Sequence, residues 1–291
     1  MIIIRMKGGI GNQMFQYALY TELKYLGRDV RMDDVNGFVS DAQRDPVLKE
    51  TFQVDYETAT EDEIRDLRDS HMGFWDRVRR RLTGRHSLEI VEPDGVFRPE
   101  ILEKEDAYLD GYWQSEKYFP DTAVISSLRK AYAIRPEDIL TDDAGFELLS
   151  RIRQAESVSV HVRRGDYLWP GVVENFGGIC TEEYYQKAME YILQEHPDAT
   201  FFVFTNDKEW CKEHMTGERV VTVDLKPGGG DVDILDMMLM SECRHHIIAN
   251  SSYSWWAAWL NDAPEKRVIA PQKWLNNKNM QDIYTEKMIR L

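Results

Sequence analysis

Cysteine is scarce: Cys180, Cys211 and Cys243 are the only three in 291 residues. An odd number at wide spacing supports neither a disulfide framework nor a zinc ribbon. Basic charge is also short, with 36 Lys and Arg against 51 Asp and Glu and a net charge of −15. That balance excludes nucleic acid as a partner, which needs an extended cationic surface. No stretch approaches the roughly 20 apolar residues of a membrane span. The start, Met1-Ile-Ile-Ile-Arg-Met-Lys7, is too short and wrongly ordered for a secretion signal. A reduced, cytosolic protein is the expectation. Internal repeats and low-complexity tracts are missing too, and the length is comfortable for two cores. One basic run breaks the acidic background, Arg77 to Arg85 with Arg79-Arg80-Arg81 at its centre. Such runs are mostly solvated faces, and the alternative is peripheral contact with anionic lipid on the inner face of a membrane.

What is present is best approached through His161-Val-Arg-Arg-Gly-Asp166. It follows an alternating run in which Val158, Val160 and Val162 share one face of a strand. His161 and Arg163 then share the other, because successive strand side chains point to opposite sides. Gly165 permits a sharp turn at the strand end, with Asp166 at its mouth. Guanidinium forks match phosphate oxygens bidentately, so this end suits a phosphorylated ligand. A surface loop in which Asp166 pairs with an arginine is the plainer reading.

The first half opens with Ile2-Ile3-Ile4 as a buried strand, then Gly8-Gly9-Ile10-Gly11-Asn12, then a helical pattern. Phe15, Leu19, Leu23 and Leu26 fall at i, i+4, i+8 and i+11, and Gly27 is placed to end the helix. Val30-Arg-Met32 is a second strand. Strand, glycine loop, helix, strand opens an α/β domain with a parallel sheet. The loop is neither G-x-G-x-x-G nor a P-loop. Its glycines make the turn, or let backbone approach an anion at the helix N-terminus. Residues 40–105 read as irregular with weak helical periodicity around Glu61 to Arg68. Asp110-Gly-Tyr-Trp-Gln-Ser-Glu-Lys-Tyr-Phe119 is an aromatic cluster suited to core packing or to stacking on a sugar ring.

The second half predicts strands at 157–162, 200–204, 219–223, 245–249 and 267–270, with helices over 181–195 and 232–242. Four strand ends are polar: Asp166, Thr205-Asn206-Asp207, Asp224 and Asn250-Ser251-Ser252. Ligands of open parallel sheets bind beyond the carboxyl ends of the strands, so these point to one crevice. Asn250, Ser251 and Ser252 sit where helix caps belong, and their N–H groups can hold a phosphate. Trp255, Ala258 and Trp259, at i, i+3 and i+4, read as helix packing. Asp236 interrupts the apolar helix Val232–Met240. Its carboxylate is either solvated or matched to the adjacent N1–H and N2–H₂ donors of guanine. The sequence places the domain boundary at 152/153. The halves are an N-terminal α/β domain and a C-terminal one whose last helix packs back on the first.

Taken together, these segments resemble glycosyltransferase family 11, the α-1,2-fucosyltransferases of bacterial type. The matching stretches are Gly8–Tyr17, Gly111–Tyr118, His161–Tyr167, Phe204–Asp207 and Asp236–Trp256, in order through nearly the whole chain. The resemblance implies a GT-B type fold, two Rossmann-like domains with parallel sheets facing a central cleft. It implies a metal-independent, inverting enzyme without a cofactor, which moves L-fucose from GDP-fucose to the 2-hydroxyl of a terminal galactose. Surface polysaccharide synthesis is the implied setting. Arg163 inherits the β-phosphate, Ser251 and Ser252 the phosphate turn, and Asp236 the guanine, since its spacing to Ser252 is kept. His161, Asn250, Gly11 and Asn12 complete the implied donor contacts. Gln13, Tyr112, Trp113 and Glu174 are the acceptor-side expectations.

The chemistry suits these residues. Breaking a fucosyl–phosphate bond leaves growing negative charge on the diphosphate, which guanidinium and backbone donors can meet without a metal. Asp231-Val-Asp233 has the spacing of a metal-binding triplet but stands at the start of a helix. The general base does not carry over, because Gly171 stands where some relatives have Glu. Asp166 is the first candidate and Glu174 the second. Two rivals remain open: a fucosyltransferase of another linkage or acceptor, and a nucleotide-sugar-binding module without turnover.

Overall fold

The computed structural model describes residues 1–41, 43–225 and 232–291, leaving out the side chains of Val232 and Asp233. The chain forms two compact units. One comprises Met1–Ala131 with Gln281–Ile283, the other Tyr132–Met280 with Tyr284–Leu291. The division therefore falls at 131/132, earlier than 152/153. The reason is that the helix Asp143–Gln154 packs on the strand Ser157–Val162 and the helix Pro136–Ile139 packs on the helix Val232–Ser241. Arg153 joins these helices, ion-paired to Glu137 at 2.5 Å and to Glu242 at 2.8 Å. What returns to the first unit is a single 3₁₀ turn, Gln281–Ile283, where Asp282 accepts from Phe97 N at 2.7 Å and pairs with Lys117 at 2.6 Å.

In the first unit the strands β1 (Ile2–Arg5), β2 (Val30–Asp33), β3 (Glu89–Val91) and β4 (Ala107–Asp110) form a parallel sheet in the order β2-β1-β4-β3. Ile2, Ile3 and Ile4 are fully buried, as expected of a central strand covered on both faces. The helix Ile10–Tyr25 follows and stops at Gly27, whose φ of 77° is the left-handed value a side chain resists. Residues 40–105 are more ordered than their composition suggested. They hold the helices Leu48–Phe52, Glu61–Arg68 and Phe74–Thr83 as well as β3. Thr60 and Glu63 cap the second of these reciprocally in a capping box. β4 reads weakly in sequence because it is four residues long and follows Glu105-Asp106, yet all four are buried between β1 and β3.

The second unit has β5 (Ser157–Val162), β6 (Thr200–Thr205), β7 (Val220–Thr222), β8 (His245–Ile247), β9 (Val268–Ala270) and β10 (Met288–Arg290). They pair parallel throughout in the order β10-β9-β8-β5-β6-β7. Counted within this unit, that is the 3-2-1-4-5-6 order of a Rossmann sheet, whose direction reverses between β5 and β8. β5 is buried along its whole length, so its alternation separates two covered faces rather than a core face and a wet one. Val158, Val160 and Val162 pack with Phe201, Val203 and Ile247. The helix Ser252–Leu260 covers the site end, with Trp255, Trp256, Ala257, Ala258 and Trp259 all buried. The two parallel α/β units are the layout expected of a GT-B chain. Among the described residues no helix is long and apolar enough to cross a membrane.

Candidate functional site

The switch point of the second sheet gathers most of the expected residues. Between β5 and β8, His161 Nδ1 lies 2.8 Å from Ser254 Oγ, a buried bond joining the strand end to the helix Ser252–Leu260. Burial, reinforced by the Arg163 charge, lowers the His161 pKa to about 3, so the ring is neutral. A neutral imidazole with one nitrogen on a hydroxyl orients its neighbours rather than carrying charge. Its carbonyl accepts from Tyr185 at 3.0 Å, fixing the strand end from the other face.

Arg163 is half-exposed at the mouth. Its Nε and Nη2 meet the two oxygens of Asp166 at 2.8 and 2.9 Å, a fork that fixes the guanidinium plane. Asn206 at the end of β6 donates to the same carboxylate at 3.3 Å and accepts from Arg164 N at 3.0 Å. Gly165 is needed here, since a Cβ would stand 2.5 Å from Asn206 Nδ2. Arg164 turns the other way, to Asp207 at 3.2 Å and over the Trp210 ring at 4.3 Å. Of the two arginines, Arg163 faces the switch point and Arg164 braces the loop.

Across the crevice, Ser251 is the N-cap of the helix without a side-chain capping bond, and Ser252 begins it half-buried. The first turn of this helix stands at the positive end of its dipole, which favours an anion. Asn250 has a different job. Its amide donates to Trp274 O at 3.1 Å and Phe176 O at 3.3 Å, while its side-chain oxygen receives Cys180 at 3.4 Å. Fully engaged and buried, it holds the loop beneath the site instead of offering a donor to a ligand. Tyr167 packs on Phe176 with centroids 4.6 Å apart and donates to Asn250 O at 3.1 Å. Burial pushes the Tyr167 hydroxyl and the Cys180 thiol each up to about 12, which keeps both protonated.

Asp236 is the one half-buried residue between Ile234 and Met240, a stretch otherwise buried in the helix Val232–Ser241. Position on the helix therefore sets it apart from the core stripe. Glu174 is exposed on the short helix Val173–Phe176, and among the described residues its carboxylate makes no bond to the protein. Ser254 was not singled out by sequence, whereas Tyr167 and Asn206 entered only as members of their motifs. Ser254 follows Ser251 by one helical turn, the only hint available.

The first unit has its own opening at the carboxyl ends of β1 and β4. It encloses about 590 Å³ lined by Arg5, Lys7, Gly8, Gly37, Ser40, Asp41, Gln43 and Tyr112. Asp110 holds Arg5 at 2.7 Å and Lys7 at 2.5 Å, which keeps its carboxyl below the usual range despite burial. Tyr112 is 37% exposed beside Lys7. Trp113 is 1% exposed and stacks edge-on to Tyr118 at 5.6 Å, so it belongs to the core and not to a sugar platform. Its φ of 55° is held by Glu92, which receives the N–H groups of Tyr112 and Trp113. Gln13 is likewise a brace, buried and bonded to Gly8 O, Asp45 O and Val47 N. Gly11 is buried at the start of the helix, and Asn12 accepts from Gln114 at 2.6 Å.

Asp231 of the Asp231-Val-Asp233 triplet lies outside the described residues, as does the side chain of Asp233. Among the described residues one group has metal-ligand proximity, Glu156, His196 and His245. It sits at the amino ends of β5, β6 and β8, opposite the switch-point crevice. His245 Nδ1 accepts the Arg267 N–H at 3.0 Å, so the ring proton is on Nε2 and points to Glu156 at 2.9 Å. A cation there would have to strip that proton and leave an imidazolate, so the group is a hydrogen-bond cluster.

Comparison with known proteins finds relatives along the whole chain. The sequence pattern of glycosyl transferase family 11 matches residues 100–290. An α-1,2-colitosyltransferase of Escherichia coli is 31% identical over 100% of this chain and 98% of its own. An O-antigen biosynthesis glycosyltransferase, WbnK, of the same organism is 30% identical over 98% and 99%. A rat galactoside α-(1,2)-fucosyltransferase 1 is 35% identical over 38% of this chain and 29% of its own. Among solved structures, the fucosyltransferase NodZ from Bradyrhizobium aligns over 94% of this chain and 97% of its own, at 14% identity and a TM-score of 0.43.

Proposed function

The chain belongs to glycosyl transferase family 11, and we propose that it transfers L-fucose from GDP-fucose to the 2-hydroxyl of a terminal galactose. Inversion at the anomeric carbon, no metal ion and a cytoplasmic setting are part of the reading. The observation that carries it is the junction of the β5 end with the helix Ser252–Leu260 at the switch point of the second sheet, where His161 meets Ser254 at 2.8 Å and Arg163 follows two residues on. As the fucosyl–phosphate bond stretches, charge gathers on the diphosphate. Arg163 and the first-turn N–H groups of the helix Ser252–Leu260 take it up, already oriented before the reaction begins. Asp166 aligns Arg163, and neutral His161 sets the helix start through Ser254. Asp236 accepts the two donors of guanine.

Asp166 is poorly suited to remove the acceptor proton, because protonation would break a charge-assisted fork on both of its oxygens. Glu174, whose carboxylate is open to solvent, becomes the first candidate base. The pocket of the first unit receives the acceptor, with Tyr112 under a sugar face and Lys7, held by Asp110, at its hydroxyls. Colitose is L-fucose lacking its 3-hydroxyl, and the colitosyltransferase is similar over this whole chain, so GDP-colitose is the competing donor. Incubation with each donor and lactose, followed by NMR of the product, separates the readings. A fucose α-linked to galactose O2 is expected. Transfer to another hydroxyl would overturn the linkage, and preference for colitose would overturn the donor.

A further inference from the structure

The basic run singled out in sequence forms the helix Phe74–Thr83, none of whose residues is buried. Phe74, Trp75, Val78 and Leu82 fall at i, i+1, i+4 and i+8, which gathers them on one stripe. Phe74 is 64% exposed, Trp75 78% and Leu82 79%, with Met72 just ahead of the helix also exposed. Phe74 and Trp75 meet edge to face, centroids 5.3 Å apart. A soluble surface rarely leaves three large apolar side chains adjacent and open to water.

The arginines of the helix divide into two sets. Arg79 and Arg80 hold the helix to the body of the first unit. Arg79 pairs with buried Asp69, and Arg80 reaches Asp69 O at 3.1 Å and His71 O. Arg77 and Arg81 lie on the opposite flank, beside the apolar stripe. Among the described residues neither comes within ion-pair distance of a carboxylate, although the chain carries 51 of them. The anchored side thus fixes the helix with its apolar stripe and two uncommitted guanidiniums facing outward. An apolar stripe flanked by cations on a fixed helix has the chemistry of an interfacial anchor, where Trp and Phe enter the acyl boundary and Arg meets headgroup phosphates.

We propose that the helix Phe74–Thr83 docks the protein on an anionic lipid bilayer, lying in the plane of its surface. Charge complementarity decides the occupant. A second copy meeting this face isologously would set Arg77 and Arg81 against their own counterparts, whereas an anionic bilayer meets them with phosphate and meets Phe74 and Trp75 with hydrocarbon.

The test is cosedimentation of the whole protein with phosphatidylcholine vesicles, with and without a third of phosphatidylglycerol. Phe74→Ser/Trp75→Ser and Arg77→Gln/Arg81→Gln are compared with the parent, with circular dichroism and transfer to a soluble acceptor as controls. The parent should bind the anionic vesicles and release them in high salt. Losing two surface arginines should weaken binding roughly 30-fold, and losing both aromatics should abolish it. Soluble-acceptor turnover should stay unchanged in every variant. Absence of vesicle binding at low salt, or binding indifferent to both double variants, would overturn the proposal. So would a parent dimer in light scattering that either double variant dissolves, since the occupant would then be a second copy.

Discussion

Replacing Asp166 by Asn separates the two roles a carboxylate at this position can play. The substitution preserves shape and removes charge. If Asp166 aligns Arg163, what is lost is the charge assistance of two hydrogen bonds at 2.8 and 2.9 Å. Bonds to charged groups contribute about 1.5–3 kcal/mol when buried, and solvent reaches both partners here, which discounts the pair to about 1–2 kcal/mol. A loss of roughly 5- to 30-fold in kcat/KM follows, carried largely by a weaker hold on GDP-fucose. The acid limb of the pH–rate profile should remain, because another group removes the proton. If instead Asp166 is the base, kcat itself should fall by about 10²–10⁴ and the acid limb should vanish. Steady-state kinetics of GDP release from pH 5 to 9 reads both quantities. A kcat collapse with a flattened acid limb would refute the alignment role.

Other outcomes follow from the same geometry. His161 is neutral when folded, with a pKa of about 3 against 6.5 unfolded, so the unfolded chain binds the extra proton. Its contribution is therefore intact above pH 6.5 and lost as pH falls, by about 2 kcal/mol at pH 5. Urea midpoints at pH 7 and 5 should show this, with a shallower fall in His161→Gln. Glu22 has the opposite sign: burial, together with Asp121, raises its pKa to about 7. The folded state then holds the extra proton, and stability present below pH 4.5 is lost as pH rises through 7. Glu22→Gln should raise the melting midpoint at pH 8 and leave it nearly unchanged at pH 5. Asp236→Asn should weaken GDP binding by calorimetry at least tenfold while sparing the melting midpoint, because the side chain lies outside the fully buried stripe of its helix.

The second sheet was readable because each of its central strands is an apolar run ended by polar residues, and the Rossmann order then fixed where those ends meet. Period and punctuation carry such information. The first sheet was half-readable: β1 announces itself as Ile2-Ile3-Ile4, whereas β4 is four residues between acidic neighbours and is a strand only because β1 and β3 flank it. The site residues divide in the same way. Arg163 and Asp166 stand three apart on one turn, so their pairing was visible locally. Asn250, Gln13 and Trp113 look like ligand-facing residues in sequence. Their bonds to Trp274, Asp45 and Glu92 are long-range, and burial that depends on such partners leaves no local signature. Ser254 was missed for that reason too, since only the pairing of β5 with β8 brings it to His161.

The central claim is most directly tested by GDP release from GDP-fucose, with and without lactose, in excess EDTA, in the parent and in Arg163→Ala of matched circular dichroism. The account predicts lactose-stimulated release that the chelator does not touch and that falls by at least a hundredfold in the variant. Release abolished by EDTA, or surviving the loss of Arg163, would contradict it.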